Sequence, residues 1–98
     1  MNSFLIGIAG QPPITNFEMV NNCLVTSVAN PASVGSIYFT LTQPIGDNFA
    51  AALFFSQPPF NSTEFLCVVA DQSPSQIVST GFAQNASVAY CAEIKLVM

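Results

Sequence analysis

The sequence predicts an all-β protein: a single antiparallel β-sandwich, jelly-roll-like, with about seven or eight strands. Three observations predict it. Turn-forming clusters recur about every ten residues: Gly10-Gln-Pro-Pro13, Asn21-Asn22, Asn30-Pro31, Gly46-Asp-Asn48, Pro58-Pro59 with Asn61, Asp71 to Pro74, and Gln84-Asn85. The runs between them are rich in Val, Ile, Phe and Thr, side chains that suit a pleated, half-buried surface. Some of those runs alternate apolar and polar residues, as a strand with one buried face does.

Taken in order, Phe4 to Ala9 is a short apolar strand that stops at Gly10, where the chain turns without a Cβ penalty. Pro12 and Pro13 lack backbone donors, so that strand cannot continue as a central one. Phe17 and Val20 resume the apolar pattern, and a short turn of helix over Phe17 to Asn21 is the alternative there. In Ile37-Tyr-Phe-Thr-Leu41 the residues Ile37, Phe39 and Leu41 share the buried face. Ala50 to Phe55 and Phe65 to Ala70 are continuous apolar runs, either strands buried on both faces or strands whose outer face meets something else. Pro44 and Pro58 confine the first of these, and its aromatics favour a strand over a helix. In Ser87 to Leu96, residues Val88, Tyr90, Ala92, Ile94 and Leu96 alternate against Glu93 and Lys95, which predicts a last strand. No repeat or linker interrupts the chain, so residues 1–98 form one domain.

Composition narrows the function. The 98 residues are 51% hydrophobic and only 6% charged, the opposite of a disordered segment. So few charges give little protection against self-association. At least one apolar patch is therefore expected to be covered by a partner, a second copy or a further domain. Lys95 is the single basic residue, too little to neutralise nucleic-acid phosphates or bind an anionic membrane. No apolar run reaches the roughly 18 to 20 residues of a spanning helix. The N-terminal stretch lacks the basic region and long apolar core of a signal peptide. Cys23, Cys67 and Cys91 are odd in number and widely spaced, which reads as three buried, reduced thiols; one disulfide plus a free thiol is the alternative.

Catalysis finds no support. The chain has no His, which removes Ser-His and Cys-His nucleophile pairs. A reactive thiolate needs a basic neighbour or a helix N-terminus, and only Lys95 is basic. Asp47 and Asp71 lie in turns, where Asp usually bonds its own backbone. Neither a phosphate-cradling loop nor a close-spaced metal-ligand set is present, so neither cofactor nor metal is expected. The nine Phe residues remain. Alternation places Phe54 and Phe55 on opposite faces of one strand, while Phe60 and Phe82 lie in turns and are expected to be exposed. Phe54, Phe55, Phe60 and Phe82 are the candidate protein-binding residues, since exposed aromatics rimmed by Asn, Ser and Gln mark many interfaces.

The stretch Phe4-Leu-Ile-Gly-Ile-Ala-Gly-Gln-Pro-Pro-Ile-Thr-Asn-Phe17 resembles the start of the Hikeshi family, nuclear-import carriers of heat-shock protein 70 chaperones. The order of later features is similar to that family's: Pro31, Ile37 to Leu41, Pro44-Ile45, Ala50 to Ser56, Pro58-Pro59, Phe65-Leu66, Asp71-Gln-Ser-Pro-Ser75, Gly81, and Ser87-Val88-Ala89 with the alternating tail. The resemblance covers the family's N-terminal domain. Its C-terminal domain is expected to be absent, its basic residues are missing, and its long loop with an exposed Phe is shortened to Phe82-Ala-Gln-Asn-Ala86.

The resemblance implies a β-sandwich that binds Phe-Gly repeats of nucleoporins and carries heat-shock protein 70 chaperones between cytoplasm and nucleus. Chaperone binding is expected to be poor without the second domain, and the chain is expected to be a monomer or weak homodimer. An alternative of another class is a structural or adhesion-type sandwich with no transport role, which the patterns Asn61-Ser-Thr63 and Asn85-Ala-Ser87 would fit as glycosylation sites. A shortened paralogue that keeps the fold and has lost the activity is a further alternative.

Overall fold

Residues 3–98 are described by a computed structural model, in which two antiparallel sheets close on a shared core. The strands are β1 (Phe4–Ile8), β2 (Glu18–Val20), β3 (Cys23–Ala29), β4 (Ser36–Leu41), β5 (Ala50–Ser56), β6 (Glu64–Ala70), β7 (Ser75–Ser79) and β8 (Glu93–Val97). The small sheet has the order β1-β4-β7 and the large one β2-β3-β8-β5-β6. Every link between consecutive strands changes sheets except β2–β3 and β5–β6. The predicted sandwich is therefore the observed fold.

Period-two alternation sets what each strand buries. In the small sheet Ile6 lies opposite Phe39 and Ile8 opposite Ile37, all four facing inward and buried. Phe4 stacks on Phe39 with ring centroids 5.8 Å apart. On the outer side Gly7 lies opposite Tyr38, and a Cβ added there would sit 3.3 Å from the Tyr38 ring. The ring covers the glycine and shields a backbone that has no side chain of its own. Gly10 turns with φ +84°, and after Pro12 and Pro13 the chain doubles back onto the free edge of β1. There the N–H of Ile14 donates to the Ile6 carbonyl at 2.8 Å, and the Ile14 carbonyl accepts from the Ile6 N–H at 3.0 Å.

From the large sheet, Val28, Leu53, Phe55, Val69, Ile94 and Leu96 fill the opposite side of the core. Burying each such side chain contributes about 1.5–3 kcal/mol. Asn21 and Asn22 both have positive φ, 50° and 66°, the geometry of a two-residue hairpin turn whose twist matches its flanking strands. The segment from Phe17 to Asn21 thus holds the short strand β2 and the first turn residue, not helix.

Residues 87–92 depart from the sequence-based expectation. Residues Ala86–Ala89 form one helical turn, and the last strand begins only at Glu93. Val88 is buried while Tyr90 is 91% exposed, so the alternation that suggested one long strand is accidental in its first half. The physical reason is the crossing from β7 to β8. Gly81, with φ +67°, starts a 3₁₀ turn at Phe82–Gln84, and this turn and the helical one drive Phe82 and Val88 into the end of the core. Pro31, from the 3₁₀ turn Pro31–Ser33, and Val34 just after it are buried with them.

All three cysteines are free thiols. Only Cys67 is buried, and burial pushes its thiol pKa up; Cys23 and Cys91 are half-buried, which corrects the expectation that all three lie in the core.

Candidate functional site

The two continuous apolar runs are not buried on both faces. In β5, Leu53 and Phe55 point inward while Ala52 and Phe54 point outward. In β6, Cys67 and Val69 point inward, whereas Phe65 and Val68 are 59% and 44% exposed. Strand pairing lines these outward residues up with others. Val25 of β3 lies opposite Val97 of β8, Val97 opposite Phe54, and Phe54 opposite Phe65. The result is one apolar row over four adjacent strands, which ends at β2, where Glu18 lies opposite Val25. A solvated sheet face normally carries polar residues at such positions. This one does not.

A groove of about 230 Å³ opens on the same face, between the β2–β3 hairpin and the loop of residues 57–63. Val20, Val25 and Val97 supply its apolar surface, and Phe60 stands at its side. The loop is tied down locally: the Phe60 N–H donates to the Gln57 carbonyl at 2.8 Å, and Ser56 Oγ donates to the Ser62 carbonyl at 2.7 Å. Those bonds hold Phe60, which has φ 65°, with its ring 4.8 Å from Lys95 Nζ. A cation over an aromatic face at this range is worth about 0.5–1 kcal/mol at an exposed site. The volume is below the roughly 300–1,000 Å³ of pockets for drug-sized ligands. It suits one side chain at a time.

The structure divides the four aromatics singled out from sequence. Phe54 and Phe60 are on the outer face of the large sheet and within reach of a partner. Phe55 and Phe82 are core residues, 7% and 1% exposed, and their rings meet edge to face at 4.9 Å. Phe82 was expected to be exposed because it follows Gly81 in a turn. That turn is the device that points it inward, because a sandwich needs side chains to plug the end where the chain changes sheets. Neither residue can contact a partner.

Sequence reasoning overlooked Phe65, Val20, Val25 and Val97. A legible signal for Val97 was its place on the Glu93–Lys95 side of the last strand, the side expected to be polar. For Phe65 the signal was hidden by a β-bulge. Leu53 lies opposite Cys67 but Phe54 lies opposite Phe65, so Leu66 is an extra residue in β6.

A second depression, of about 270 Å³, lies beside Leu41, Pro44, Asp71 and Pro74. Its one carboxylate is already committed. Asp71 Oδ1 accepts from the Ile45 N–H at 2.9 Å and Oδ2 from the Gly46 N–H at 3.0 Å. Asp71 therefore ties the β4–β5 loop to the β6–β7 turn, whereas the sequence alone pointed to a bond within its own turn. Among the described residues no group of three or more His, Cys, Asp or Glu side chains is placed to hold a metal ion, and no helix is long and apolar enough to cross a membrane.

No protein-family model matches the chain, and no curated protein is significantly similar to it.

Proposed function

We propose that this protein is a non-enzymatic binding module of the Hikeshi type, a nuclear transport adaptor whose large-sheet face captures the Phe rings of nucleoporin Phe-Gly repeats. The observation that supports it is the outward row Val25, Val97, Phe54 and Phe65 beside the groove under Phe60. Phe-Gly segments offer isolated rings on flexible chain. A shallow apolar face with a groove for a single ring holds each weakly, and several weak contacts along it add up to retention without stalling movement. The low charge of the chain suits this task, since it leaves the face largely apolar.

In this reading the protein acts in the cytoplasm and nucleus. Docking of a heat-shock protein 70 chaperone is the weaker half of the activity, because charged contacts set register and partner choice in such complexes and the chain has a single cation. The module works as a monomer or weak homodimer. Strand β6 is an edge that pairs only with β5, and an apolar edge is a ready place for a second copy to pair weakly.

A binding titration with a Phe-Gly repeat peptide tests the reading, with the parent set against Phe60→Ser and Phe65→Ser. Saturable binding by the parent that drops several-fold in both variants supports it. No binding by the parent, or equal binding by all three, would refute it.

A further inference from the structure

Lys95 gives that groove its one positive charge. It is the only cationic side chain in a protein of net charge −4, and it lines the groove together with Val20, Val25, Val97 and Phe60. Among the described residues its ammonium meets the Phe60 ring and pairs with no carboxylate. The ring contact fixes the cation at the groove without neutralising it. Asn21 and Thr63, also at the groove, supply uncharged polar groups for a peptide backbone. An apolar slot with one unneutralised positive charge at its wall is complementary to an apolar side chain that has a negative charge beside it.

Resting on the reading of this face as a binding surface, we propose that the groove selects segments in which a Phe or other apolar side chain is followed or preceded by Asp or Glu. The apolar side chain fills the slot over Val25 and Val97, and the neighbouring carboxylate meets Lys95. A segment with Lys or Arg at that position is disfavoured by like charge. A nucleic acid is not an alternative occupant, since one cation cannot neutralise a run of phosphates. A half-exposed ion pair of this kind corresponds to a modest preference, about three-fold to five-fold in affinity, and salt weakens it.

The test uses the whole chain and three short peptides, each with one Phe flanked by Gly, by Asp or by Lys, measured by fluorescence anisotropy at low and high salt. The expected order is Asp-flanked tightest, Gly-flanked next, Lys-flanked weakest, with the spread closing at high salt. In Lys95→Met the ratio of Asp-flanked to Gly-flanked affinity falls to about one; in Lys95→Arg it is kept, because the charge is kept. Equal affinities for Asp-flanked and Gly-flanked peptides in the parent would overturn the charge preference and leave the apolar face standing. Discrimination that survives in Lys95→Met would overturn the role of Lys95. Absence of binding to every peptide would overturn both this inference and the binding reading beneath it. Peptide binding that disappears as the protein concentration rises would overturn the proposal in favour of a second copy as occupant.

Discussion

Phe54 and Phe65 meet edge to face, ring centroids 5.8 Å apart and planes at 73°, because β6 inserts Leu66 between the residues that lie opposite Leu53 and Phe54. In a regular ladder Cys67 opposite Leu53 would put Leu66 opposite Phe54 and turn Phe65 toward the core side. The bulge at Leu66 reverses that, since a one-residue slip moves a side chain to the other face of a sheet. An aromatic that regular alternation would bury is thereby delivered to the outer surface. Such a placement adds nothing to the core and enlarges the apolar row by one ring.

Phe65→Ser is accordingly expected to weaken capture of aromatic peptides several-fold. With its side chain 59% exposed, the change should shift unfolding free energy by less than about 1 kcal/mol. Parallel denaturant melts and binding isotherms check this. A large loss of stability would show that Phe65 serves the fold.

Phe82→Ala should behave in the opposite way. Its ring is 1% exposed and packs on Phe55, so truncation leaves a cavity and costs about 3–5 kcal/mol. Phe60→Ser, by contrast, removes a half-exposed ring and its cation contact and should cost about 1 kcal/mol or less. Comparing urea midpoints of the two variants decides between turn-exposed and core roles for Phe82.

Much of this architecture was readable in the chain. Asn21-Asn22, Gly10 and Pro58-Pro59 punctuate it, and the runs Ile37 to Leu41 and Ala50 to Ser56 became strands at or within a residue of the expected bounds. What was hidden depended on sheet-to-sheet crossings. Val88 and Tyr90 stand at period two in the sequence, yet one is buried and the other bare, because a helical turn replaced the strand there. The site was half legible. Phe54 and Phe60 could be found from alternation and turn chemistry, but Phe65 needed the bulge, and Val25 and Val97 needed knowledge of which strands become neighbours. Pairing partners far apart in sequence leave no local trace.

Asp71 is expected to matter for stability although it lies at the surface end of a strand. Asp71→Ala leaves the Ile45 and Gly46 N–H groups without their carboxylate acceptor, at a cost of about 1–3 kcal/mol. Asp71→Asn, which keeps one accepting oxygen, should lose less. Thermal melts of the two variants provide the check, and equal, negligible losses would mean that water replaces the carboxylate.

Cys67 should be the last of the three thiols to react. Its raised pKa comes from burial, and the nucleophile is the thiolate, so a thiol reagent at neutral pH should label Cys23 and Cys91 first. The same shift has a consequence for stability. The folded state keeps the thiol neutral, so at alkaline pH the unfolded chain releases this proton more readily. Below the ordinary thiol range Cys67 contributes no pH dependence; as pH rises through and above it, stability declines. Cys67→Ala should flatten that alkaline decline, which denaturant titrations at a series of pH values would reveal.

The central claim is that the outer face of the large sheet binds aromatic side chains of flexible partners. Its most direct test is a two-dimensional NMR titration of the isotope-labelled chain with a Phe-Gly repeat peptide. The account predicts fast-exchange shifts concentrated at Val20, Val25, Phe54, Phe60, Phe65 and Val97, with the small-sheet residues Tyr38 and Ile77 unmoved. Shifts confined to Tyr38 and Ile77, or no shifts at millimolar peptide, would contradict it.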